Sequence, residues 1–237
     1  MRNLIKADLK RILSKKGLYV SLILMILITI FPGSKRSASE HIESYKTLFN
    51  TIGLTIMCIP IFLSVYGDEL RSGTMITTIG MGLHRHKLVK AILWVCTILL
   101  LGTYIVLYGT ALFKLYLDDL VITEKQSLFL FIYCLYCVIR GVGIFALSSL
   151  VLFISMSAAG GMLMLVLAGM ASSPILKGFQ DKLKLPFYDI SYMGLLDASF
   201  ASFQAGGFGG TLIVALIYLA IVIYINVKLF DRKELNL

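Results

Sequence analysis

The chain has 237 residues, of which 58% are hydrophobic and 15% charged, with a mean hydropathy of +0.89 and a net charge of +9. Such a composition lies outside the range of water-soluble domains and leaves no room for a sizeable soluble domain. The apolar residues come in runs near the roughly 20 residues that cross a bilayer. The expected fold is therefore all-α and integral to a membrane, with residues 1–237 forming one transmembrane domain.

Residues 1–16, MRNLIKADLKRILSKK, set Ile5, Leu9, Ile12 and Leu13 on one helical arc and Lys6, Lys10 and Arg11 on the other side. This spacing predicts an amphipathic elbow helix in the membrane interface, its cations toward anionic headgroups. A basic flank without fixed orientation is the plainer reading. The first apolar run, Leu18 to Phe31, is short for a span. A basic leader with a short apolar core also fits a signal peptide, and Ser37-Ala38-Ser39 lies at a plausible cleavage distance. Five further apolar runs make an uncleaved first span the simpler expectation. Lys15 and Lys16 extend it by snorkelling, and Pro32-Gly33 ends it.

The second span is expected from about Leu48 to Gly67, with Pro60 as a kink. The third runs from about Ala91 to Phe113, with Trp94 near one end and Tyr104 and Tyr108 toward the other. The fourth runs from near Leu128 to Phe153. A turn at Ser155-Met156-Ser157 leads to a fifth from about Ala158 to Pro174, and a sixth covers roughly Thr211 to Val227. Cys58, Cys96, Cys134 and Cys137 all sit inside these runs, and the spacing of Cys134 and Cys137 falls on a helix rather than in a metal knuckle. They read as packing residues.

Loop charges set the orientation. With the N-terminus inside, the inner side carries 13 Lys and Arg against 5 acids, a net +8, and the outer side 8 against 8. Both termini are thus expected in the cytoplasm, and the basic charge is a topology signal rather than a nucleic-acid footprint. The two halves do not read as copies, so an inverted-repeat carrier is not supported.

No GxxxxGK[ST] is present to cradle ATP phosphates, nor an HExxH, nor paired carboxylates within a span. The chain is not expected to be an enzyme or to bind a metal or cofactor itself. Ser148, Ser149 and Ser155 have no nearby histidine in sequence and are expected to bond helix carbonyls or neighbouring helices. Arg140 is the single charge near the middle of a span, followed by Gly141 and Gly143. A cation there must face a helix interface or a wet cavity. Two readings stand side by side: a substrate-path or helix-locking residue, and a structural Arg bonded to carbonyls or tyrosines of adjacent helices.

The most informative segment is the connection of residues 68–90, DELRSGTMITTIGMGLHRHKLVK. A short helix lying beneath the membrane there would present Asp68, Glu69 and Arg71 to a soluble partner; a basic loop that only fixes topology is the alternative. At this loop the chain resembles the membrane subunit of type-2 ABC exporters. The likeness has four parts: the basic elbow, Glu69 followed by Gly73-Thr74, the basic lead-in His84-Arg85-His86-Lys87 and Lys90 to span three, and a six-span layout ending in Leu229-Phe230-Asp231-Arg232-Lys233. Where the family has a proline before the basic cluster, this chain has Gly82-Leu83.

The resemblance implies that Asp68, Glu69, Arg71, Gly73 and Thr74 form a coupling helix docking a separate P-loop ATPase, which binds ATP and Mg. It implies a second permease subunit, identical or related, and a bacterial cytoplasmic membrane. Small permeases of this kind imply an amphipathic peptide, drug or lipid-like cargo, as in antimicrobial-peptide export or immunity. The outer segment of residues 177–210, with its apolar run Leu195 to Phe203, suggests short helices dipping into the outer leaflet, and Gly206 to Gly210 a flexible or close-packed link to span six. A non-transporting scaffold or sensor subunit and a stand-alone carrier are the competing readings.

Overall fold

A computed structural model describes residues 2–31, 37–67, 79–80, 84–207 and 210–232. These are helical almost throughout, with no strand among them. Helix α1, Arg2–Leu13, precedes α2, Lys16–Ile30, at a bend of 65°. Helix α3 runs through Ala38–Gly67, α4 through Arg85–Leu117 and α5 through Glu124–Ser155. Then come α6, Ala158–Ala171, and α7, Ser172–Leu183, bent against each other by 62°. Short helices α8, Phe187–Ile190, and α9, Tyr192–Gln204, lead to α10, Thr211–Arg232.

Helices α3, α4, α5 and α10 are each long and apolar enough to cross a membrane, and six spans result if each bent pair counts as one. The expected first and fifth spans are the short ones. The 15 residues of α2 rise only about 22 Å, less than the roughly 30 Å of a hydrocarbon core.

Polar end residues carry the helices beyond their apolar runs. Ser37 caps α3, its hydroxyl accepting from the Glu40 N–H at 3.4 Å, so α3 begins ten residues before the expected Leu48. Thr123 and Gln126 form a reciprocal capping box that starts α5 ahead of Leu128. Pro60 lacks an N–H, yet α3 passes through it without interruption. Its irregularities are two π-helical stretches, Phe49–Gly53 and Leu63–Gly67. In the first, the Phe49 carbonyl accepts from the Leu54 N–H and also from the buried Tyr104 hydroxyl of α4, at 3.0 Å.

Helix α5 is the centre of the bundle, packed by α3, α4, α6, α9 and α10. An aromatic seam joins the elements: Phe62 stacks on Phe145 at 6.5 Å, and Phe153 packs at a tilt against Phe230 at 4.5 Å. Lipid tails are as apolar as leucine, so packing and interhelical hydrogen bonds, each worth about 0.6 kcal/mol, hold such a bundle. One such lock sits between α5 and α10, where the fully buried Asn226 donates to the Ala146 carbonyl at 2.8 Å and accepts from the Ser149 hydroxyl at 3.1 Å. The Ser148 hydroxyl bonds the Ile144 carbonyl, as expected of hydroxyls in spans.

The apolar arc of α1 turns inward. Ile12 is fully buried, and Leu4, Ile5 and Leu9 pack against the bundle core, while Lys6, Lys10 and Leu13 stay exposed. Helix α1 lies against α4 and the last turn of α3, with Ile5 and Leu9 half-buried at that contact.

Candidate functional site

The expected site residues fall into three places. Asp68, Glu69, Arg71, Gly73 and Thr74 lie outside the described residues. The basic lead-in is described and is partly structural. The Arg85 guanidinium donates to the carbonyls of Phe230 and Asp231 at 3.2 and 3.4 Å, capping the end of α10 with a cation where a helix dipole favours one. The rings of His84 and His86 stack at 5.4 Å. Lys87 and Lys90 are exposed, three residues apart along α4.

Arg140 is the best-built polar centre. It lies at mid-length of α5, 7% exposed. Its guanidinium donates to the Asn50 side-chain oxygen from α3 and to Asp197 Oδ1 at 2.9 Å from α9. It also donates to the Met193 carbonyl at 3.4 Å, and its Nε approaches the Met193 sulfur at 3.0 Å. A single buried cation in an apolar helix thus has an anion, an amide and a carbonyl around it, the arrangement that makes such a charge tolerable. A cavity of about 20 Å³ beside Arg140, Asn50 and Asp197 has room for about one water.

The second carboxylate oxygen of Asp197 accepts from the Tyr188 hydroxyl, which accepts in turn from Ser173 at 3.2 Å. Burial and this bond to Asp197 raise the Tyr188 phenol above its ordinary pKa, so it stays a donor in neutral water. Lys177 lies over the Tyr188 ring at 4.6 Å, and the Gln180 side-chain carbonyl accepts from the Tyr188 N–H at 3.0 Å. Gly194 makes the α8–α9 turn possible: a Cβ there would sit 1.9 Å from the Tyr188 carbonyl oxygen.

Three more tyrosine bonds tie neighbouring parts to α5 and its surroundings. Tyr192 donates to the Ile139 carbonyl at 2.7 Å, Tyr136 pairs with Ser199 at 2.8 Å, and Tyr133 donates to the Lys46 carbonyl at 3.0 Å. Gly143 lets the Tyr192 ring lie flat on α5, since a Cβ would fall 2.2 Å from it. Residues 177–207 hold the end of α7 and the short helices α8 and α9, and Gly206 follows α9 at φ +86.

Comparison with protein-family models, curated proteins and solved structures gives no match in any of the three. The resemblance to exporter subunits rests on the residues quoted above.

Chemically, the Arg140 centre is a hydrogen-bonded ion pair that joins α5 to α3 and α9. It contains no nucleophile paired with a base, and among the described residues no three His, Cys, Asp or Glu side chains gather to hold a metal. Of its partners, Asp197 carries one signal in the sequence, as the single charge of α9, while Asn50, between Thr47 and Thr51, carries none. On α9, Asp197 also shares the face of Met193 and Phe200 at helical spacing.

Proposed function

We propose that the chain is the transmembrane subunit of an ATP-driven ABC exporter in a bacterial cytoplasmic membrane. It moves an amphipathic peptide, drug or lipid-like substrate while a separate P-loop ATPase hydrolyses ATP. The observation that carries this reading is the gathering of basic segments. Arg85 at the start of α4 holds the end of α10, and α1 packs against α4 and the last turn of α3. Segment 68–83 leaves and returns at those same elements. One basic face results, which the positive-inside rule assigns to the cytoplasm.

On this reading Asp68, Glu69, Arg71, Gly73 and Thr74 dock the ATPase, flanked by Lys87 and Lys90. ATPase closure moves two membrane subunits, and the Arg140–Asp197 tie holds the opposite side shut between cycles. Purification in mild detergent tests the assignment. A P-loop ATPase is expected to accompany the chain and to be lost on Glu69→Arg at unchanged thermal stability. Its retention after joint substitution of Asp68, Glu69 and Arg71 would overturn the docking segment. Transport by the purified chain under an ion gradient without ATP would overturn the exporter reading, and an intact complex with no ATPase would favour a scaffold or sensor.

A further inference from the structure

Two cavities on the α4–α5 face meet at Tyr108 and Phe131. The inner one is a slot of about 110 Å³. Buried Tyr104, Cys134 and Val138 form its floor, and exposed Ile105 and Leu135 form its walls. It presents only carbon and sulfur. The Tyr104 hydroxyl is turned away to the Phe49 carbonyl at 3.0 Å, and that of Tyr108 is engaged by Ser127 at 2.8 Å. A dry cavity of this character takes an apolar guest rather than water.

Beyond the edge-to-face pair of Tyr108 and Phe131, 5.5 Å apart, a more open pocket of about 550 Å³ is bordered by Thr123, Ser127 and Glu124. Glu124, in the first turn of α5, is exposed and has no ion-pair partner among the described residues. An apolar slot thus opens into a wider, mainly apolar pocket whose one polar edge, Thr123 and Ser127, ends in the Glu124 carboxylate.

We propose that slot and pocket together bind a single-chain amphiphile with a cationic head. The tail lies between α4 and α5 against Cys134 and Val138, and the head sits at Glu124. The carboxylate favours a cation over an anionic or neutral head, and the slot's narrow apolar section suits one chain rather than two. This site does not depend on the exporter reading, because it requires only that the α4–α5 face meet lipid.

The full chain in phosphatidylcholine nanodiscs, photolabelled with a dodecylammonium bearing a terminal diazirine, tests the site. Adducts are expected in residues 101–108 and 131–138, displaced by excess dodecylammonium and not by dodecanol. Val138→Phe, which fills the slot, is expected to abolish the displaceable labelling at an unchanged thermal transition. Glu124→Gln is a surface change that keeps the test decisive if Val138→Phe fails to fold. It is expected to raise the half-saturating concentration roughly two- to fivefold. Even labelling of other exposed helices such as α2 and α10, equal displacement by dodecanol, or no change with Glu124→Gln would each overturn the proposal.

Discussion

The Arg140 side chain is 9% exposed and that of Asp197 44%, and this asymmetry decides which partner is costlier to strand. Without Asp197 the guanidinium stays in a helix interface with only Asn50 and Met193. Without Arg140 the carboxylate can still reach water. Asp197→Leu is therefore expected to cost about 3 kcal/mol and Arg140→Leu about 1 kcal/mol. The double Leu variant should lose less than Asp197→Leu alone, because no charge is left behind. Thermal unfolding in detergent gives the order; single losses that merely add in the double variant would show that the two residues do not interact. Arg140 itself was legible, since a cation in an apolar run must be paired or wet. Its partners were not, because Asp197 lies 57 positions away and Asn50 lies 90, and only the folded chain brings them together. Of the partners named in the second reading of Arg140, carbonyls or tyrosines of adjacent helices, the Met193 carbonyl of α9 contacts it directly and Tyr188 joins only through Asp197.

At the scale of elements, the sequence marked where helices cross and misjudged where they begin. Apolar runs locate the middle of α3, α4, α5 and α10, but the polar first turns of α3 and α5 read as loop. The signals were present in Ser37-x-x-Glu40 and Thr123-x-x-Gln126: each hydroxyl caps its helix, and at Thr123 the Gln126 side chain completes the box. The π-helical stretches were not legible, because they depend on donors and packing from other helices, as where the Tyr104 hydroxyl donates to the Phe49 carbonyl. The docking of α9 on α5 allows a sharper test. A methyl at Gly143 meets the Tyr192 ring, and moving that ring breaks its bond to the Ile139 carbonyl. At Gly102 nothing lies within 4 Å. Gly143→Ala is expected to destabilise by about 1–3 kcal/mol and to quicken proteolysis near Lys184. Gly102→Ala should be neutral or slightly stabilising through helix propensity. The same response from both variants would mean that Tyr192 does not hold α9 in place.

For the whole molecule, four long apolar helices and two bent pairs allow four, five or six spans, according to which bent pairs cross. Four or six return the chain to the side where it began, and helix count alone leaves the orientation open. Charge then decides. The side assigned to the N-terminus carries a net +8 and the other zero, and cytoplasmic loops are the ones that hold excess Lys and Arg. The prediction concerns sidedness. On a background with the four buried cysteines replaced, Lys6→Cys, Lys90→Cys and Lys228→Cys are expected to react with a membrane-impermeant maleimide only after the cells are opened. Lys125→Cys should react in intact cells. Lys182→Cys tests the second bent pair. If α6 and α7 form one span of six, Lys182 lies outside with Lys125 and labels in intact cells; if only the first pair crosses, Lys182 labels only after opening and Lys228→Cys labels from outside, whereas four spans put Lys6 and Lys90 on opposite sides. Labelling of Lys90→Cys from outside would invert the topology and remove segment 68–83 from the reach of any cytoplasmic ATPase, so the proposed function would fall with it. Labelling of Lys6→Cys and Lys228→Cys on opposite sides would require an odd number of spans. That result would also conflict with the Arg85 contact to the end of α10 and the packing of α1 on α4, which bring the two ends of the chain to the same helix.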